Sequence, residues 1–426
     1  MTGIDALPQR FATTGPGTGG RIKVRAEDFL VEEIGLYEPC GEGEHLYIGI
    51  QKSGVAHGEL LSVIRRAFGV SPSAIGYAGM KDKHAVTRQT LSVHLPGKGG
   101  EDVPDLRHQR IAVLWAKRHR NKLRVGHLRG NRFVIRIREV DPLHAPLVHR
   151  RLHELMRSGA PCYFGPQRFG YRLNNHLLGA RLVAEDWKGI LDELLGSRGM
   201  AFPEHQRERR ERYDAGDFDG ALAQWSSADR AEVIALRALI QRQEHSAAVR
   251  AVGTVTLRFW ASAFSSAIFN RVLDARLARG ALCLLEAGDL AWKHDSRACF
   301  RVTPADIEGN ELAGRLERLE ISPSGPIWGR DMLRPEGRAA EEEERALREF
   351  AATPAQVESC RWLEGVRRPM RCSLQDVDVE GGFDEHGPNL RVAFELPRGM
   401  YATVVLREVM RGAMLEDEGT EEETGR

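Results

Sequence analysis

No run of apolar residues in this chain of 426 approaches the roughly 20 needed to cross a bilayer. Its first residues lack the apolar core of a signal peptide, so a soluble, cytoplasmic protein is expected. The six cysteines, Cys40, Cys162, Cys283, Cys299, Cys360 and Cys372, lie far apart and form no Cys-x-x-Cys pair. Neither a zinc ribbon nor a dithiol redox motif is indicated, and free thiols of a reducing compartment are the simpler reading. The formal net charge is only +1, so overall charge says nothing about nucleic acid, and only its distribution can. The glycine-rich stretch from Gly15 to Gly20 has no strand-like run before it and no Lys-Ser/Thr after it, which excludes a P-loop. It reads as a flexible arm.

The most telling absence is local. Residues 106–138 contain eleven Lys and Arg and not one Asp or Glu. Arg and Lys set against phosphates supply most sequence-independent affinity for nucleic acid. Trp115 and Phe133 interleave with this charge, and three histidines join it. Lys117, Arg118, Arg120, Lys122, Asn131 and Arg132 are therefore expected to face RNA. The competing reading is a pair of strands whose solvated faces are basic.

What is present, above all, is the stretch Gly-Tyr-Ala-Gly-Met-Lys-Asp-Lys-His-Ala-Val-Thr-Arg-Gln-Thr from Gly76 to Thr90. A helix-period pattern ends before it at Gly69 and a strand-like run resumes at Gln89, so Asp82 is placed on a loop, where chemistry usually sits. Lys81 and Lys83 flank it, and His84 and Arg88 follow closely. Neighbouring cations favour the anionic form of a carboxylate. That suits a nucleophile, an electrostatic stabiliser or a general base, and does not suit a general acid. A surface loop of mutually neutralising charges is the bland alternative for the tripeptide alone.

The whole stretch resembles the signature of the TruD family of tRNA pseudouridine synthases, and further matches run from near the N-terminus to about residue 410. Phe29-Leu-Val-Glu-Glu33 is similar to the family's Phe-x-Val-x-Glu, Gly130-Asn131-Arg132-Phe133 to its Asn-x-Phe, and Pro161 to Gly170 to its Asn-Tyr-Phe-Gly-x-Gln-Arg-Phe-Gly, with Cys162 replacing the Asn. Gly365-Val-Arg-Arg-Pro369 and Pro397 to Thr403 match later landmarks. The resemblance implies that Asp82 is the catalytic carboxylate, that Lys23 is the active-site lysine holding it ionised, and that Phe133 stacks on a flipped base. It implies RNA-facing roles for Lys81, Lys83, His84, Arg88, Gln167 and Arg168, structural support from Glu33 and Tyr77, and a uridine at position 13 of tRNA as substrate. No cofactor, metal or protein partner is expected, and the protein is read as a monomer that binds tRNA.

Strand-like runs lie at both ends and helical ones fill the middle. Ile22 and Val24 read as strand alternation around Lys23, and Thr256 to Arg279 as one long amphipathic helix. The expected fold is α+β. Residues 1–160 and 335–412 would form a discontinuous catalytic domain with a mixed, largely antiparallel sheet. Residues 161–334 would form the inserted TruD-specific α+β domain, with a charged helical elaboration near 180–250, and 413–426 a disordered acidic tail. A non-catalytic RNA-binding protein would explain the basic run but not the Asp82 motif. A glycosidase normally needs two carboxylates, and Glu33 is the one nearby candidate. A metal-dependent nuclease needs clustered ligands, of which His84 beside Asp82 is the closest approach.

Overall fold

The computed structural model describes residues 5–97 and 99–412; the expected acidic tail lies outside them. The chain divides into two compact units. Of the described residues, one comprises Thr13–Ala160 and 372–412; the other comprises Pro161–Arg371 and 5–12.

The first unit is built on one sheet of eight strands: β1 (Phe29–Gly35), β2 (His45–Ser53), β3 (Ile75–Tyr77), β4 (Val86–His94), β5 (Ile111–His119), β6 (Leu128–Arg138) and, after the middle of the chain, two more from Gln375–Asp384 and Gly387–Pro397. The order is Gln375–Asp384, Gly387–Pro397, β6, β1, β4, β2, β5, with β3 beside β4. The β1–β4 pair is parallel and every other pair antiparallel, a mixed, largely antiparallel sheet. Helix α1 (His57–Phe68) lays Leu60, Val63 and Ile64 over Leu46, Ile48 and Ile50 of β2 and Leu91 and Val93 of β4. It ends where the sequence signals, at Gly69 with φ +64, a left-handed cap that glycine adopts at little cost.

Two expectations at the start of this unit change. Lys23 is not in a strand: its φ is +57, and the first strand begins only at Phe29, after a 3-10 turn at Ala26–Asp28. The Gly15 to Gly20 stretch is not a free arm. Thr18 and Gly19 donate backbone N–H groups to Val409 and Met410 at 3.1 Å, and the buried Arg151 donates to the carbonyls of Thr14 and Pro16 at 3.0 and 2.8 Å. A Cβ on Gly17 would lie 2.1 Å from the Met410 carbonyl oxygen, so the segment's glycine is a packing requirement.

The second unit is mainly helical. Its longest helix, Thr254–Ala278, buries Leu257, Trp260, Ala261, Phe264, Ile268 and Val272, as its period predicts. Strands β7 (Leu290–Lys293), β8 (Cys299–Arg301), β9 (Ile321–Ile327) and β10 (Val366–Pro369) form an antiparallel sheet in the order β10-β9-β7-β8. Because β10 pairs with β9, and Arg367 on β10 grips the buried Glu343 at 2.7 Å, residues 335–371 cluster with this unit rather than with the eight-stranded sheet. The charged segment at 207–212 is only partly solvated. Arg210 is buried, donates to the carbonyls of Leu194 and Gly196, and lies 5.1 Å from the Trp225 ring centre. No described helix is long and apolar enough to cross a membrane.

Candidate active site

Three lysines and one aspartate organise the loop between β3 and β4. Asp82 is exposed on it, and the Lys23 ammonium stands 3.4 Å from its Oδ2. The Lys23 side chain is itself only 11% exposed and runs over the Phe29 ring, 5.0 Å from the centroid. A left-handed backbone at a non-glycine residue is uncommon and costs energy. Here it turns the Lys23 side chain back toward the sheet.

The backbone of the loop is held from below by Lys52. This residue shares parity with Leu46, Ile48 and Ile50 on β2, so the pleat sends it to the core face. It is fully buried, and its ammonium donates to the carbonyl oxygens of Val55 and Asp82, each at 2.7 Å. Burial pushes its pKa down to about 8, against the pull of the Asp82 charge, which raises it. Lys52 carries no motif, and sequence reasoning passed over it. The signal was there in the period: a lysine in the fourth place of an inward Leu-Ile-Ile series.

Lys81 also turns inward. Its ammonium lies 3.0 Å from Glu33 Oε2 and donates to Asn131 Oδ1 at 2.7 Å, while Glu33 Oε1 accepts from the Thr90 N–H at 3.3 Å. Both side chains of the ion pair are buried. A buried pair of this kind contributes little net stability but fixes geometry. Lys81, expected to face RNA, instead ties the Asp82 loop to β1, β4 and β6, alongside the supporting role expected of Glu33. Tyr77 packs edge-on to His57 with ring centres 4.6 Å apart.

Register decides which of the other expected residues belong here. Phe29, Val31 and Glu33 share one face of β1, and β6 sets Asn131, Phe133 and Ile135 on that same face. Phe133 is 7% exposed, between Phe29 (6.4 Å) and Phe394 (5.6 Å). Glu32, Arg88 and Arg132 are one residue out of step and point to the opposite face. There they form a ladder across the sheet: Arg88 donates to Gln51 at 3.0 Å and lies 3.7 Å from Glu32, and Arg132 lies 3.7 Å from Glu395 and pairs with Asp376. Arg88 and Arg132 are therefore not gathered around Asp82.

The basic run is likewise divided. Arg138 is buried between Asp28 and Asp384, Arg118 is buried and donates to the Gly100 carbonyl at 2.6 Å, and Arg120 pairs with Glu42. Lys122 donates to the Ser73 carbonyl at 2.5 Å. Lys83 and His84 are exposed on the Asp82 loop, and Lys117 is exposed on the edge strand β5. Gln167 and Arg168 belong to the other unit, where Gln167 is exposed and Arg168 donates to Ser266 at 3.1 Å beneath Phe164 and Phe259. Among the described residues, no three His, Cys, Asp or Glu side chains stand together as a metal site, and all six cysteines are free thiols.

The family model for tRNA pseudouridine synthase D (TruD) matches residues 8–409. The tRNA pseudouridine synthase D of Geobacter sulfurreducens is 44% identical over 399 residues, covering 93% of this chain and 95% of that one. That of Geobacter metallireducens is 42% identical over 408 residues, covering 95% and 98%. A crystal structure assigned to tRNA pseudouridine synthase D of Methanosarcina mazei superposes with a TM-score of 0.79 at 26% identity, covering 96% of this chain and 98% of its own. A mixed sheet presenting one exposed carboxylate beside a lysine, together with these matches, places the protein among the tRNA pseudouridine synthases, the isomerases that turn uridine into pseudouridine. Within that class, the chain belongs to the TruD family.

Proposed function

We propose that this protein isomerises the uridine at position 13 of tRNA, in the cytoplasm and as a monomer, with Asp82 as its catalytic carboxylate. The observation that carries the reading is the pairing of an exposed Asp82 with a nearly buried Lys23 at 3.4 Å. The ammonium sets a positive charge against a carboxylate that stays open to solvent. In the reaction the N1–C1′ bond breaks, the base turns, a C5–C1′ bond forms, C5 loses a proton and N1 gains one. No electrons are exchanged. Asp82 acts at the sugar–base junction, as nucleophile toward C1′ or as the base that takes a proton there.

The uridine has to leave its helix to reach a carboxylate on a protein loop. Phe133, with Phe29 and Phe394 around it, supplies an apolar floor against which the extruded base rests. Lys52 and the Lys81–Glu33–Asn131 group act one step removed, fixing the loop on which the carboxylate rides. The test is Asp82→Asn with a tRNA carrying that uridine. Pseudouridine formation should disappear while tRNA affinity stays within a few-fold of wild type. Retained turnover in the variant would remove Asp82 from its role.

A further inference from the structure

Beside the Asp82 loop lies a recess of about 520 Å³ that the chemistry above does not use. Tyr37, Glu38, His119, Asn121, Lys122, Arg124 and His127 line it. Its aromatic wall is ordered by hydrogen bonds. The Tyr37 hydroxyl sits 3.3 Å from the Tyr47 hydroxyl and 2.9 Å from His127 Nδ1, and Tyr47 donates to the Asn121 carbonyl at 3.0 Å. The Tyr37 ring stacks on His119 with centres 5.2 Å apart and planes at 22°, and meets His127 edge-on at 5.9 Å. Backbone and burial fix the His119 ring as well: the Cys40 N–H donates to its Nδ1 at 3.2 Å, and burial, reinforced by Arg120, holds it toward the neutral form.

This wall is stiff, flat and still open, since Tyr37 keeps 36% of its surface exposed. A positive rim surrounds it. Arg124 is exposed, Lys122 donates to a carbonyl, and neither makes an ion pair among the described residues. Asn121 and Glu38 add polar edges, the carboxylate favouring a partner that offers an N–H. Stacking surface, phosphate-seeking cations and polar groups at the edge are what one unpaired nucleotide requires.

The recess is also wired to the catalytic loop. Tyr47, Ala78, Leu123 and Leu128 form one buried cluster, and the Gly126 N–H donates to the Ala78 carbonyl at 2.8 Å, four residues before Asp82. A Cβ on Gly76 would lie 2.2 Å from the Leu123 carbonyl oxygen, so β3, which leads into the Asp82 loop, meets the chain at Leu123 backbone to backbone.

We propose that this recess is a second nucleotide-binding site, which takes a single unpaired nucleotide of the RNA substrate, base stacked on Tyr37 and phosphate on Arg124 and Lys122, with a base bearing an exocyclic amine preferred over uracil. The proposal deepens the pseudouridine-synthase reading and rests on it only for the identity of the RNA. The test uses the full chain, wild type, Tyr37→Leu and Arg124→Ala, with tRNA transcripts carrying one abasic site in turn at each unpaired position. Wild type should lose about tenfold in affinity at one abasic position other than the target uridine. Tyr37→Leu should lose a similar factor on intact tRNA and nothing further on that abasic tRNA. The exposed Arg124→Ala, which leaves the fold undisturbed, should raise KM several-fold and leave the single-turnover rate at saturating tRNA unchanged. Additive losses at every position, or wild-type affinity in both variants, would overturn the proposal. The affinity arm needs no catalysis, so an inactive wild type would sink the isomerase reading while leaving this one decidable.

Discussion

The ammonium of Lys52 reaches the main-chain oxygen of Asp82, 2.7 Å away, from a strand thirty positions earlier in the chain. The group that positions the catalytic candidate is thus not beside it in sequence, and it grips the backbone rather than the carboxylate. Replacing it with a neutral isostere leaves two carbonyls without their donor. Lys52→Met should cost about 1–3 kcal/mol of stability, the range for buried polar groups that lose a partner. It should also lower single-turnover pseudouridine formation at least tenfold with KM little changed. Denaturant unfolding and rapid-quench assays on the same preparation check both halves.

The same lysine gives a pH signature. Its pKa in the folded protein, about 8, lies below its ordinary 10.5. Between those values the unfolded chain binds more protons than the native one, so this group makes stability rise with pH across that window. Below pH 8 both states are protonated and the cost of burying the charge is present in full. The wild-type unfolding free energy should therefore gain over pH 8–10.5 a component that Lys52→Met lacks. Parallel slopes for the two proteins would show that Lys52 does not titrate there.

Lys23 is predicted to matter through charge. Lys23→Met removes the ammonium 3.4 Å from Asp82, and turnover should fall by about two orders of magnitude, the scale of losing one group in acid–base chemistry. Affinity for tRNA should stay within threefold. Wild-type turnover in the variant would mean that the Lys23 charge does not act on Asp82.

Salt dependence separates the two halves of the basic run. Lys117 and Arg124 are exposed and make no ion pair among the described residues, while Arg132 already pairs with Asp376 and Glu395. Taking one cation away from an RNA phosphate flattens the slope of log affinity against log salt by roughly 0.7–0.9. The double variant Lys117→Ala/Arg124→Ala should flatten it by between one and two, and Arg132→Ala should leave it alone. Binding titrations between 50 and 300 mM salt decide this, and equal effects from the two variants would refute the division.

The fold's parts were readable where the information is local. The strand-like run resuming at Gln89, the helix ending at Gly69 and the contiguous Asp82 motif all announce themselves within a dozen residues. What was not readable depends on partners brought from elsewhere. Lys81 looks like an exposed lysine until Glu33 and Asn131 arrive from two other strands. Arg88 and Arg132 look like neighbours of the site until register places them on the far face of the sheet. Lys23 follows a strand-like pattern but takes a left-handed turn, and the Gly15 to Gly20 stretch looks loose because the helix that pins it, Ala402–Met410, lies at the opposite end of the sequence.

That last arrangement bears on how the protein is made. Strand β6 is flanked by β1 on one side and by Gly387–Pro397 on the other. A ribosome therefore emits the entire helical unit before the second flank exists. Throughout that interval one border of the sheet has open hydrogen-bonding groups, the kind of edge that recruits foreign strands. A chain stopped at Arg371 should accumulate as aggregates or be degraded. Chaperone demand should be greatest late in translation and fall once the closing strand has emerged.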